Sequence, residues 1–368
     1  MKDKIFVVRD AVSLFLKKQA RSKYILAFLF QSSRILASFE VSPLALECVK
    51  LLDGNHSLGQ IARMKKITQK NLLRLIHYLE SENLIEERWE RTKEELRYSR
   101  QLNFFASFEE REIKRENFQK KIEDARVVVL GAGGIGTWLI ESLVRSGVGQ
   151  ITVIDPDVIA LSNLSRQTFF TEKDIGKAKV EIVKKHAAAI NSMVKIKPVQ
   201  RLIVSPRDLR PFVKNATLVI NCSDYPDVSV TNDIVSRACF TYGIPHILCG
   251  GYAGHLSFVG QTVIPHQSSC WRCYVEGGIY ERGLNGFTHM AITRSSVEGG
   301  TLAAIASMTA NIHALEALKV ITGYAEPAML NAKAEWDFLS LSLTKITVSK
   351  NKYCSLCGEN AQKRRIRK

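Results

Sequence analysis

The sequence predicts an α/β protein with a Rossmann-like, mostly parallel sheet, preceded by a smaller N-terminal domain. An apolar run at 127–130 leads directly into the glycine-rich segment GAGGIG, and a second apolar run at 151–154 follows one helix length later. This order is typical of a βαβ unit with a glycine-rich first turn. The chain has 368 residues, which is enough for two domains with separate cores.

Each glycine of the segment has a predicted task. Gly131 allows the tight turn, Gly133 and Gly134 let backbone N–H groups approach a phosphate, and Gly136 lets the helix pack close to the strand. Asp155 ends the second strand, where a carboxylate reaches a ribose hydroxyl. This pattern predicts nucleotide binding. It leaves open a nicotinamide-dependent oxidoreductase and a non-catalytic regulator with a degenerate nucleotide domain.

Polar and basic residues cluster after the second strand, and a redox enzyme has no general need for them there. The group comprises Asp157, Ser162, Asn163, Arg166, Gln167, Lys177 and Lys179. An arginine acts as a forked donor and a lysine as a point charge, and both suit a triphosphate that is being cleaved.

The segments GAGGIG, DPD, SNLSRQ and GKAK stand in the same order as in a known superfamily. The stretch 127–181 resembles the ATP-dependent carboxylate-adenylating enzymes, which include ThiF, MoeB and the ubiquitin-activating enzymes. The resemblance implies that ATP is the cofactor and that Asp155 binds its ribose. It assigns Asn163, Arg166 and Lys179 to the phosphates, and Asp224, which follows the strand-like run ATLVIN, to Mg²⁺.

The same resemblance extends to RYSRQ at 97–101. It implies that Arg100 is an arginine finger supplied to the ATP of the partner subunit, and therefore that the protein is a homodimer. The alternative is a solvated arginine in the charged, helix-prone linker that we predict over 91–123.

Four of the eight cysteines form two CxxC pairs, Cys270 with Cys273 and Cys354 with Cys357. Two such pairs supply the four thiolates of a structural zinc site, and the adenylating enzymes carry the same pairs. A redox dithiol and unrelated core cysteines are the alternatives. The remaining cysteines are predicted to be apolar core residues: Cys48, Cys222, Cys239 and Cys249.

Residues 1–90 predict a separate winged-helix domain. Strand-like runs at 24–30 and 34–41 form a hairpin, three helices follow, and 84–87 forms a wing. The helices are predicted to begin after the capping residues Ser42, Ser57 and Thr68. DNA binding is one interpretation, but the third helix becomes acidic. The arrangement resembles the PqqD-like modules that recognise precursor peptides, in which a leader peptide adds as a strand to the hairpin edge.

Residues 124–368 are assigned to the adenylating domain with its zinc knuckle. The segment 277–300 contains no cysteine, so we do not expect a covalent sulfur relay. We predict that this segment is a mobile cover over the active site, in which His289 and Arg294 could contact substrate.

The formal charge of +16 indicates an acidic partner, which could be nucleic acid, a nucleotide or an acidic peptide. The basic cluster at 363–368 is predicted to be a solvated end. Neither a signal peptide nor a membrane span is evident, so a cytoplasmic location is expected.

Taken together, the chain resembles the peptide-modifying branch of the superfamily, whose members act in the biosynthesis of the peptide antibiotics microcin C and pantocin A. The resemblance implies a ribosomally made precursor peptide as substrate and partner. The positive net charge favours an acidic peptide, and therefore activation of a Glu side chain followed by cyclisation or dehydration, as for pantocin A. Adenylation of a peptide C-terminus, as for microcin C, and activation of a ubiquitin-like sulfur carrier are the alternatives.

Overall fold

A computed structural model describes residues 3–18, 23–88, 92–109, 112–277 and 300–359. The chain divides into two compact units, Met1–Arg115 and Glu116–Lys368. Among the described residues, no helix is both long enough and apolar enough to cross a membrane.

The first unit contains two three-stranded antiparallel sheets, with strand orders β5-β1-β6 and β2-β3-β4. The strands are β1 (Ile5–Val8), β2 (Val12–Lys18), β3 (Tyr24–Phe30), β4 (Leu36–Val41), β5 (Asp53–Ser57) and β6 (Ile85–Glu87).

The predicted hairpin is present as β3 and β4, but it is part of a larger sheet because β2 pairs along the whole of β3. Strand β4 begins at Leu36 rather than at Arg34, whose φ of 59° places it in the turn. Strand β6, predicted as a wing, pairs with β1.

The helices of the first unit are α1 (Pro43–Val49), α2 (Leu58–Met64), α3 (Gln69–Ser81), α4 (Lys93–Arg97) and α5 (Ser99–Phe105). The three predicted helix starts are confirmed. The side chains of Ser42, Ser57 and Thr68 accept hydrogen bonds from backbone N–H groups of the first turns of α1, α2 and α3. Residues of helices α1–α3 and of strands β1–β4 and β6 form one apolar core, in which Phe28 and Ile61 are fully buried.

The second unit contains a six-stranded sheet with the order β14-β11-β10-β7-β8-β9, in which only β14 is antiparallel to its neighbour. A second, antiparallel sheet has the order β12-β13-β15-β16. The strands are β7 (Arg126–Leu130), β8 (Gln150–Ile154), β9 (Lys195–Val199), β10 (Leu218–Asn221), β11 (His246–Leu248), β12 (Gly251–Ala253), β13 (Leu256–Val259), β14 (Thr262–Val263), β15 (Ala332–Asp337) and β16 (Ser342–Thr347). The predicted α/β fold with a mostly parallel sheet is therefore confirmed.

Helices α7 and α12 pack against each other in this unit. Its helices are α6 (Arg115–Asp124), α7 (Gly134–Ser146), α8 (Lys179–Ile190), α9 (Pro206–Val213), α10 (Val228–Tyr242), α11 (Trp271–Glu276) and α12 (Ala303–Thr322).

The apolar runs at 244–251 and 256–264 are each divided between the two sheets, which the sequence did not predict. A Cβ atom on Gly260 would lie 1.4 Å from the carbonyl oxygen of Leu248, so two backbone segments touch there. This close approach separates β13 from β14 and lets the chain pass from the antiparallel sheet back to the parallel one.

Candidate active site

A cleft of about 690 Å³ lies at the carboxyl ends of strands β7, β8, β10 and β11. In open α/β sheets, this edge is where ligands bind. Ten of the predicted site residues line the cleft: Gly131, Gly133, Gly134, Asp155, Asp157, Asn163, Arg166, Gln167, Lys179 and Asp224. The structure thus brings together residues that lie up to 93 positions apart in the chain.

The glycine-rich turn shows which glycines the fold itself requires. Gly131 has a φ of +94°, and a Cβ atom there would lie 2.7 Å from the backbone of Cys222. Gly136 does not line the cleft but packs against the turn, where a Cβ atom on it would lie 2.1 Å from the carbonyl oxygen of Gly131. Gly133, by contrast, has no atom within 4 Å of an added Cβ. Space is therefore open at Gly133, beside the uncapped amino terminus of α7.

We expect this difference to separate folding from ligand binding. Gly136→Ala should lower the free energy of unfolding by about 3 kcal/mol, because a backbone carbonyl must move to admit the methyl group. Gly133→Ala should leave thermal stability within about 0.5 kcal/mol of the wild type. It should nevertheless weaken ATP binding, since its methyl group occupies space in the cleft. Thermal unfolding and ATP titration of the two variants test this, and equal unfolding temperatures would contradict it.

The carboxylate of Asp155 fastens the glycine-rich turn to the end of β8. One oxygen accepts a hydrogen bond from the N–H of Ala132 at 2.6 Å, and the other accepts one from the N–H of Asp157 at 2.9 Å. Burial raises the pKa of Asp155, while the nearby Lys179 and these two amides oppose the rise. Asp155 thus shapes the cleft, and its predicted contact with a ribose stays a prediction.

Two basic side chains of the described residues lie in the cleft, and each donates a hydrogen bond to a neighbour. The ammonium of Lys179 donates to the carboxylate of Asp157 at 2.7 Å, although Asp157 is largely exposed and Lys179 is buried. The guanidinium of Arg166 donates to the backbone carbonyl of Ser162 at 2.9 Å. Ser162 itself does not line the cleft, so in this structure it positions Arg166 through its backbone.

Two further cleft residues have groups suited to a polar ligand. Gln167 is 5% exposed, and its side-chain oxygen has no hydrogen-bond partner among the described residues. That oxygen can accept a hydrogen bond from a hydroxyl or amino group of a ligand. Asp224 is exposed and follows β10 by three residues, at the carboxyl edge of the sheet. The cleft therefore presents cationic, anionic and unpaired acceptor groups together.

Several residues of the cleft wall were not predicted from the sequence, including Tyr225, Tyr252 and Phe258. Cys222 and Cys249 also line the cleft, with their sulfur atoms 3.5 Å apart, so their prediction as simple core residues is incomplete. Each directly follows a strand of the parallel sheet, and this position was the available signal. The prediction is confirmed for Cys48 and Cys239, which are fully buried.

The four cysteines of the CxxC pairs meet in one buried cluster, with all sulfur atoms within 4.8 Å of one another. The Cys270–Cys354 and Cys273–Cys357 sulfur distances are 3.5 and 3.3 Å. Four thiolates around a tetrahedral zinc ion lie roughly 3.8 Å apart, given a Zn–S bond of about 2.3 Å. The cluster could hold a metal ion.

Backbone N–H groups donate hydrogen bonds to sulfur atoms of the cluster. The N–H of Asn351 donates to the sulfur of Cys273 at 3.4 Å, and the N–H of Leu356 donates to that of Cys354 at 3.4 Å. Such bonds stabilise the deprotonated sulfur that binds a metal. The segment around residue 354 is thereby tied to α11, about 80 residues earlier in the chain.

The remaining predicted residues lie elsewhere. Arg100 is an exposed residue of α5 in the first unit. His289, Arg294 and the basic cluster at 363–368 lie outside the described residues.

A glycine-rich turn at the switch point of a parallel sheet, with basic and acidic side chains around one cleft, defines a nucleotide-binding α/β enzyme. The chain belongs to the ThiF family, whose model matches residues 98–356. Molybdopterin-synthase adenylyltransferase of Escherichia coli (strain K12) is 30% identical over 244 residues, which cover 66% of this chain and 90% of that protein. The sulfur carrier protein adenylyltransferase of Thermus thermophilus is 29% identical over 288 residues, 76% of this chain and 96% of that protein. The chain is an ATP-dependent adenylating enzyme.

Two solved structures share the fold. The structure of E. coli MccB with ATP matches 96% of this chain and 99% of its own, with a TM-score of 0.71 and 23% identity. PaaA matches 76% of this chain and 92% of its own, with a TM-score of 0.65 and 24% identity. At these identities the similarity concerns the fold.

Proposed function

We propose that the protein uses ATP to adenylate a carboxylate of a ribosomally made precursor peptide during the biosynthesis of a peptide antibiotic. In this proposal a Glu side chain is activated, and an internal nucleophile then closes a ring with loss of water. Residues 1–90 form a winged-helix domain that binds the leader, 91–123 form the linker, and 124–368 form the adenylating domain.

The extent of the fold similarity supports a peptide substrate. The ThiF family match begins at residue 98 and so does not include most of the first unit. The similarity to MccB covers 96% of the chain and so includes most of that unit. One of the MccB structures contains the peptide MccA together with the ATP analogue AMPCPP. A peptide-binding task for the first unit accounts for a part of the chain that adenylation alone does not require.

The reaction needs alignment and charge neutralisation more than acid–base chemistry. A carboxylate is already ionised at neutral pH, attacks the α-phosphorus of ATP, and forms a C–O–P bond while the bond to pyrophosphate breaks. In our assignment, Asn163, Arg166 and Lys179 hold the phosphates. Asp224 would bind Mg²⁺, which neutralises charge on the leaving pyrophosphate. Across a homodimer, Arg100 would add a further cation.

The zinc assignment is part of the same proposal. Four buried sulfur atoms with N–H donors around them suit Zn²⁺ in a structural role, because no position is left for a substrate.

The free edge of β4 is the proposed site for the leader. In the hairpin of β3 and β4, strand β3 is paired on both sides because β2 lies along it. Among the described residues, β4 is paired on one side only, so its outer edge is free. Phe39 of β4 packs edge-on against the exposed Tyr78 of α3, with ring centroids 5.2 Å apart. A strand edge with an aromatic helix face beside it provides backbone hydrogen bonds and side-chain contacts for an added strand.

Two leucines on opposite edges of this sheet give a matched test. Leu36 on β4 is 59% exposed and Leu14 on β2 is 43% exposed. We expect Leu36→Glu to raise the KM for a leader-bearing peptide about tenfold, the effect of losing one buried leucine contact. Its kcat should not change, and Leu14→Glu should leave both constants unchanged. The reverse pattern would place the leader on β2.

The proposed function is tested with a peptide encoded by a short reading frame next to this gene. Incubation with enzyme and ATP, followed by mass spectrometry, should show release of pyrophosphate and a peptide that has lost water. A peptide that instead carries added AMP would indicate stable adenylation, as at a peptide C-terminus. Processing of a small protein ending in Gly-Gly, with no reaction of the peptide, would indicate a sulfur carrier as substrate. The similarity to the sulfur carrier protein adenylyltransferase of Thermus thermophilus is the observation that favours this alternative.

A further inference from the structure

A second cavity of about 770 Å³ adjoins the nucleotide cleft. Val228, Gly250 and Phe258 line both, so a ligand extended through the second cavity can reach the first. The residues that line only the second cavity include Gln261, Trp271, Tyr274 and Lys333. They come from the segment after β13, from α11 and from β15.

The ammonium of Lys333 lies against aromatic rings rather than against an acid. Its nitrogen is 3.9 Å from the ring centroid of Tyr274 and 5.7 Å from that of Trp271. Among the described residues, no carboxylate forms an ion pair with it. Burial lowers the pKa of Lys333 to about 8, so the side chain is still mostly protonated at neutral pH. One acidic residue, Asp227, also lines the cavity, but its carboxylate caps α10 by accepting a hydrogen bond from the N–H of Val230. Among the described residues, the contacts of the Lys333 ammonium are therefore with ring faces.

A hydrogen-bond acceptor in the same cavity is also unpaired. Gln261 is 1% exposed, and its side-chain oxygen has no partner among the described residues. The amide nitrogen of Gln261 donates to the hydroxyl of Ser269 at 3.4 Å, which orients the oxygen. An unpaired acceptor at this depth costs free energy unless a ligand donates to it.

These groups suit an acidic peptide segment. A carboxylate would pair with the ammonium, a backbone N–H would donate to the Gln261 oxygen, and Trp271 and Tyr274 would flank the chain. Lys333 lines the second cavity and not the nucleotide cleft, where the reacting carboxylate must meet the α-phosphorus. The carboxylate at Lys333 is therefore a second one, near the reacting group in the substrate.

We propose that this cavity binds an acidic side chain of the substrate peptide next to the reacting carboxylate, and that Lys333 is the specificity-determining residue that recognises it. The inference rests on the proposed peptide substrate. The test below measures peptide binding and not adenylation. The role of Lys333 can therefore be disproved while peptide adenylation is confirmed, and peptide adenylation can be disproved while the role of Lys333 is confirmed.

Three short peptides with acetylated amino termini serve as probes. They are Ala-Glu-Ala amide, Ala-Gln-Ala amide and Ala-Ala-Ala with a free carboxyl terminus. We expect the wild-type enzyme to bind the Glu peptide about tenfold more tightly than the Gln peptide, the usual effect of one charge-assisted hydrogen bond. Titration calorimetry or ligand-observed NMR measures this. Preference for the free carboxyl terminus would overturn the assignment to a side chain.

Three variants test the role of the lysine. Lys333→Met should remove the discrimination between the Glu and Gln peptides, and Lys333→Arg should retain part of it. Lys345→Met, which removes an exposed lysine from the neighbouring strand β16, should discriminate as the wild type does. Because burial of the charge opposes folding, Lys333→Met should unfold at the same or a higher temperature than the wild type.

A second variant keeps the test independent of that folding expectation. Gln261→Leu removes the unpaired acceptor. It should weaken binding of the Glu peptide and of the Gln peptide by the same factor, so the ratio of their dissociation constants should not change. Undiminished discrimination by Lys333→Met, or loss of discrimination by Gln261→Leu with the lysine intact, would overturn the proposal.

Discussion

Replacing Asp224 with alanine is expected to reduce peptide-dependent ATP–pyrophosphate exchange to below about one thousandth of the wild-type rate. Asp224 lies just beyond the end of β10, exposed in the cleft and close in the chain to the Cys222 backbone that contacts the glycine-rich turn. In our assignment it would hold Mg²⁺, and the ion would neutralise negative charge on the leaving pyrophosphate.

Three controls sharpen this prediction. Asp224→Asn keeps the size of the side chain and removes its charge, so a similar loss would assign the effect to charge. Glu172→Ala removes an exposed carboxylate that does not line the cleft, and it should exchange normally. The thermal unfolding temperature of all three variants should match the wild type, because these carboxylates are exposed. Normal exchange by a folded Asp224→Ala enzyme would exclude Asp224 from the mechanism.

Local patterns made much of the nucleotide-binding half predictable. The run of apolar strand, glycine turn, helix and second strand is determined by neighbours in the chain, and the structure has β7, α7 and β8 in that order. The caps at Ser42, Ser57 and Thr68 were visible because the capping hydrogen bond joins residues three apart. The cysteine spacing identified a possible metal site in the same way.

Tertiary contacts account for what the sequence did not show. The antiparallel sheet pairs β13 with β15, which are separated by more than 70 residues, and no local pattern joins them. The break at Gly260 depends on the Leu248 backbone crossing beside it. Lys333 belongs to a strand with charged residues at alternate positions, typical of a solvated face, yet its ammonium lies against Tyr274. Its cavity exists only once α11 and β15 have packed together.

The second large effect is expected from the cysteine cluster. The purified protein should contain about one zinc ion per chain, and Cys354→Ser should reduce this several-fold. Because metal binding by four thiolates contributes directly to folding, we expect the variant to lose several kcal/mol of stability in the second unit. Elemental analysis by mass spectrometry and thermal unfolding measure the two effects.

The cluster lies in the main core of the second unit, which explains why the loss should extend beyond the cysteines themselves. The four sulfur atoms pack with Trp271, Tyr274 and Leu356, and the backbone N–H of Ser355 donates to Glu276 at 3.0 Å. Releasing the carboxyl-terminal segment would expose this apolar surface and loosen α11, which also forms a wall of the second cavity. We therefore expect Cys354→Ser to weaken peptide binding and to lower stability.

Cys48→Ser is the control. It also alters a fully buried cysteine, but in the first unit, and it should leave the zinc content unchanged. Full zinc content in Cys354→Ser, or a zinc-free wild-type protein of equal stability, would contradict a structural zinc site.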